Sequence, residues 1–136
     1  MSPRPFLAFL AATCWAVALA AQAPAPRIAW GPYQDLAQSL MQQYLRVDTS
    51  NPPGNEMRAV AFWKNVFDRE GIENHIYEFA PGRGNILAIL HGDGSARPLI
   101  LLNHEDVVTS VASRWQEPPF SGAIRDGELY GRGSET

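Results

Sequence analysis

His104 and Asp106, two residues apart at the end of an apolar run, are the side chains whose types and spacing could do chemistry. The run reads Leu99, Ile100, Leu101, Leu102, Asn103, His104, Glu105, Asp106, Val107, Val108. A neutral imidazole binds Zn2+ well, and a carboxylate beside it can orient the ring and raise its basicity. In an extended segment side chains two apart share a face, so His104 and Asp106 point together and Glu105 points away. Ligands of open α/β sheets gather beyond the carboxyl ends of strands, which is where this pair would stand. Taken alone the spacing H-x-D is a weak signal, and a surface ion pair at a strand end is the competing reading.

The pair needs a strand to carry it. Residues 98–102 and 85–90 are short, nearly continuous apolar runs of the kind that form central strands buried on both faces, with Gly92 to Ala96 as the turn between them. Residues 73–79 alternate without a cleanly apolar face, which suits an edge strand. Upstream, Leu36, Leu40, Tyr44 and Val47 recur at helical spacing and predict a helix over 33–47, stopped before Asn51, Pro52, Pro53 and Gly54. A second helix is expected over 55–70, with Val60, Trp63, Phe67 and Glu70 on one side, Val66 beside them, and Gly71 ending it in a left-handed conformation. Asp126-Gly127, flanked by alternating residues over 123–130, is a tight-hairpin signal. Helices followed by strands around a buried sheet indicate an α/β domain whose covering helices are incomplete.

Composition sets outer bounds. The chain has 136 residues, enough for one domain at most, and 46% hydrophobic with 18% charged residues suits a core-forming segment. A net charge of -3 with no block of like charge makes neither nucleic acid nor an anionic membrane surface an expected partner. Residues 1–23 read as a secretory signal peptide: Arg4, an uncharged apolar run over 6–20, then A-x-A sites at Ala18 to Ala20 or Ala21 to Ala23. An uncleaved anchor is the alternative for this run. Residues 24–32, with Pro24, Pro26 and Pro32, form a linker, and 33–136 the domain proper. The one cysteine, Cys14, falls inside the signal, so the mature exported chain would hold no disulfide.

Several motifs in order carry a family resemblance. Residues 44–56, from Tyr44 through Asp48-Thr49-Ser50-Asn51-Pro52-Pro53-Gly54 to Glu56, are similar to the first motif of the co-catalytic zinc hydrolases. That family holds aminoacylases, acetylornithine deacetylase, succinyl-diaminopimelate desuccinylase and glutamate carboxypeptidases. Residues 101–108 resemble its H-x-D-V-V motif. Arg114-Trp115, Pro119-Phe120-Ser121-Gly122, Arg125-Asp126-Gly127 and Tyr130-Gly131-Arg132-Gly133 continue it in order. The resemblance covers essentially all of 33–136.

What it implies is specific. The fold is a zinc-peptidase-like catalytic domain with a central mixed sheet flanked by helices, present as its N-terminal part and without the lid and dimerisation domain. His104 is similar to the family's first zinc ligand, and Asp106 to the catalytic-site aspartate that supports that histidine. Two Zn2+ per site are implied for a complete member, with Co2+ or Mn2+ as alternatives. The metal-bridging aspartate of the family falls on Thr136, a hydroxyl that brings neither the charge nor the paired oxygens of a bridge. The general-base glutamate, the remaining ligands and a second histidine lie downstream in the family. The implied activity is hydrolysis of an amide bond in a small peptide or N-acyl amino acid, by an exported protein of the periplasm or extracellular space. It would keep no stable membrane association after signal cleavage, and a homodimer only in a full-length form. The chain alone is expected to be poorly stable and inactive. The competing readings are a non-catalytic exported scaffold or decayed-gene product of the same fold, and a generic α/β binding module.

Other residues carry bland readings. His75 and His91 are expected on a strand edge and a solvent-facing turn. Phe62, Trp63 and Phe67 are expected in helix packing, and Trp115, Pro119 and Phe120 under a loop. Arg132 is expected to shape the glycine turn.

Overall fold

The computed structural model describes residues 27–134, so the expected signal peptide, Cys14, the first linker residues and Thr136 lie outside the described residues. Residues 33–134 fall in one unit, and the described residues 27–32 in a separate one. The elements in chain order are helix α1 (Gly31–Tyr44), strand β1 (Ser50–Asn51), helix α2 (Met57–Arg69), strands β2 (Glu73–Ala80), β3 (Arg83–Ile89) and β4 (Val107–Val108), a 3-10 turn (Ala112–Arg114), and strands β5 (Ala123–Arg125) and β6 (Glu128–Tyr130).

Helix α1 stops at Tyr44, three residues before the expected end. The reason lies in the backbone. Leu45 still bonds Met41 O, but Arg46 and Val47 bond Gln43 and Tyr44, three residues back, so the last turn tightens and unwinds. Asp48 then accepts the Ser50 N–H at 2.9 Å, a local turn that competes with helix and starts β1.

Helix α2 is amphipathic and packs on the β2–β3 hairpin. Ala59 and Val60 are fully buried. Tyr44, Phe62, Trp63 and Phe67 form a chain of ring contacts with centroids 5.1–5.8 Å apart, so the aromatic residues of α2 pack the two helices together as expected. The helix ends in a Schellman arrangement around Gly71, whose φ is +66°. Ile72 N–H bonds Phe67 O, and Gly71 N–H bonds Asp68 O.

Strands β2 and β3 form an antiparallel hairpin with Glu73 opposite Ile89 and Tyr77 opposite Asn85. Strands β5 and β6 close around Asp126 and Gly127, both at positive φ, the mirror-image turn that the dipeptide predicted.

Two expectations are corrected. Residues 98–102 are not a buried central strand: they form no ladder, and Leu99, Ile100, Leu101 and Leu102 are 82–93% exposed. An apolar run becomes a strand only when a neighbouring edge offers partners, and among the described residues none pairs with it. The α/β character is present, with helices packed on small sheets. The described residues, however, form three separate two-stranded sheets, β1–β4, β2–β3 and β5–β6, in place of one central mixed sheet.

Candidate functional site

The only parallel pairing among the described residues is β1 with β4, in which Ser50 stands opposite Val107 and Asn51 opposite Val108. This short ladder brings the Asp48 to Asn51 motif against the His104 to Val108 motif. Thr49, 2% exposed, donates its hydroxyl to Glu105 O at 2.6 Å, and Val107 N–H bonds Thr49 O at 3.2 Å. The strand therefore follows the H-x-D pair, whereas the sequence had suggested that a strand precedes it.

His104 and Asp106 do meet. The ring Nδ1 lies 2.8 Å from the Asp106 carbonyl oxygen and 3.2 Å from Asp106 Oδ1. Both partners are acceptors, so Nδ1 carries the proton, and the Nε2 lone pair is left for another group. The other carboxylate oxygen, Oδ2, accepts the Asn51 side-chain amide at 2.9 Å. That hydrogen bond, with the nearby His104, holds the Asp106 carboxyl below the usual carboxylate range.

Glu105 points the other way, as the period of two required. Both its carboxylate oxygens are buried with no hydrogen-bond partner. Burial pushes its carboxyl up to about 7, and the nearby Glu56 carboxylate adds to the rise. It lines a cavity of about 520 Å³ together with Trp63, Phe67, Tyr77 and Leu101.

The later motifs gather at the end of α1. Gln42 donates to Gly122 O at 3.1 Å and Arg46 to Ser121 O at 3.1 Å. A Cβ at Gly131 would meet Leu45 at 2.9 Å, and one at Gly133 would meet Val107 at 2.9 Å, so the Y-G-R-G turn approaches both the helix end and β4 as only glycine allows. Arg132 lies over the Trp115 ring at 4.8 Å, and its N–H bonds the buried Pro119 O at 2.7 Å, which gives Trp115 and Pro119 the packing role expected of them. His75 and His91 are exposed and share one carboxylate, Glu73, at 2.9 and 2.7 Å.

The donor chemistry of the His104 and Asp106 pair fits one corner of a metal site: an oriented neutral imidazole backed by a carboxylate. Among the described residues no group of three His, Cys, Asp or Glu side chains is placed to hold a metal ion. Residue types and spacing single out neither Asn51 nor Thr49, and they turn Glu105 away from the pair without showing that it is buried and unpartnered. Asn51 and Thr49 lie in the first motif, but nothing in the spacing showed that they would face the second.

No family model matches the chain. Among curated proteins it is 36% identical to aminoacylase-1 of Sus scrofa over 101 residues, which is 71% of this chain and 24% of that protein. It is 43% identical to N-fatty-acyl-amino acid synthase/hydrolase PM20D1 of Bos taurus over 58 residues, 43% of this chain and 12% of that protein. It is 58% identical to succinyl-diaminopimelate desuccinylase of Azoarcus sp. (strain BH72) over 43 residues, 30% of this chain and 11% of that protein. The chain thus spans a quarter or less of the length of these relatives. With these motifs converging in space and these three relatives sharing its sequence, the chain belongs to the metallopeptidase family of aminoacylase-1, PM20D1 and succinyl-diaminopimelate desuccinylase.

Proposed function

We propose that this chain is the front part, 33–136, of the catalytic domain of an exported zinc-dependent hydrolase that cleaves the amide bond of N-acyl amino acids or small peptides. Residues 1–23 are its export signal and 24–32 a linker. The observation that carries this reading is the His104 ring, tied at Nδ1 to Asp106, with no hydrogen bond at Nε2 among the described residues. His104 is the metal ligand, and Asp106 holds the ring in the tautomer and orientation that a ligand needs. When bound, the metal supplies Lewis-acid polarisation of the amide carbonyl and lowers the pKa of water.

The relatives' names support an acylated amino acid as substrate: an aminoacylase, an N-fatty-acyl-amino acid hydrolase and a desuccinylase. The 136-residue chain by itself is inactive, because one histidine is not a metal site.

The test is zinc binding and N-acyl amino acid hydrolysis by the full-length protein. Wild type is expected to bind zinc and hydrolyse the substrate, with both lost in His104→Ala. Unchanged zinc affinity in His104→Ala would remove this assignment.

A further inference from the structure

We infer that Asn51 is a positioning residue: its side-chain amide locks the Asp106 carboxylate in place behind the His104 ring. Asp106 has two oxygens and two tasks. Oδ2 accepts a hydrogen bond from Asn51 Nδ2 at 2.9 Å, while Oδ1 stands 3.2 Å from His104 Nδ1. A carboxylate held at one oxygen no longer rotates freely, so the negative charge beside the imidazole stays at one place. The Asp106 carbonyl, 2.8 Å from Nδ1, fixes the tautomer, and the locked carboxylate adds the charge.

Asn51 is itself held. Its strand is in parallel register with Val107–Val108, and the neighbouring Thr49 hydroxyl grips Glu105 O at 2.6 Å. The donor therefore reaches Asp106 from a backbone stitched to the same segment. Only a side chain with an N–H serves: an aspartate at 51 would set two carboxylates against each other.

The inference deepens the proposed metal-ligand reading, but its test needs no metal. In the full-length protein, stripped of metal, the His104 Nδ1–H resonance is followed by NMR. Asn51→Ala and the near-isosteric Asn51→Asp are each expected to move that resonance. In an Asp106→Ala background Asn51→Ala should move it no further, because the effect passes through Asp106. Thr49→Val cuts a different tie between the same segments and should leave the resonance in place.

An unmoved resonance in both Asn51 variants overturns the inference. So does an equal shift in the Asp106→Ala background, or one matched by Thr49→Val. Zinc affinity separates the two claims. About tenfold weaker binding in Asn51→Ala is expected if both hold. Unchanged binding in His104→Ala would remove the metal-ligand reading and leave the NMR result standing.

Discussion

Arg83 and Glu56 are the ion pair that ties the β2–β3 hairpin to the start of α2, with Arg83 Nε 2.5 Å from Glu56 Oε2. Glu56 is 9% exposed and Arg83 31%, so this pair is largely withdrawn from water. Removing one partner strands a buried charge. Arg83→Met is expected to destabilise the fold by about 3 kcal/mol, near the lower end for a broken buried pair. The double variant Arg83→Met with Glu56→Gln should recover a large part of that loss. Urea unfolding of the wild type and both variants checks it, and equal losses in the single and double variants would refute it.

Glu105 predicts an unusual pH profile. Its folded carboxyl titrates at about 7, above the ordinary value near 4.5. For an acid whose folded pKa is raised, the fold favours the neutral form. Stability is therefore fully present below about pH 4.5 and falls as pH rises to about 7. Glu105→Gln removes the charged form. It is expected to raise stability at pH 8 by about 1 kcal/mol or more, allowing for solvent around a partly exposed group, and to change little at pH 4. Thermal melts at the two pH values test this. A loss of stability at pH 8 would contradict it.

Gly71 sits at φ +66° with no atom near the position of a Cβ. The cost of a side chain there is purely conformational. Gly71→Ala should therefore lower stability by about 1 kcal/mol through strain in the left-handed region, with no change in packing. Chemical denaturation gives the number, and a neutral result would show that the helix end relaxes.

The 136-residue chain presents Leu99, Ile100, Leu101 and Leu102 to solvent side by side. A contiguous apolar patch of this kind binds hydrophobic dyes and promotes association. Leu99→Lys with Leu101→Lys is expected to reduce dye binding and aggregation of this chain while leaving its thermal midpoint within a degree or two, because these side chains are 82% and 86% exposed. A large drop in the midpoint would mean that they pack against something.

How much of this was legible depended on range. Gly71 as a helix terminator, the Asp126-Gly127 hairpin and the shared side of His104 and Asp106 follow from φ preferences and a period of two, which act within a few residues. The 98–102 run was misread because its apolar content says that it wants burial, not that a partner strand is beside it. The three-residue overrun of α1 came from a periodicity that continued to Val47 while the backbone had already tightened at Arg46.

The sequence by itself determined the local turns, the helix on which the aromatic residues lie, and a histidine and an aspartate two residues apart. Only the tertiary structure decided that Asn51 reaches Asp106 from 55 positions away, that Thr49 grips Glu105 O, and that Glu105 is left with a buried carboxylate and no partner. The physical reason is that residue type and spacing fix the torsions of neighbours. A hydrogen bond between distant residues is set by strand register, and register is settled only when the two segments pack.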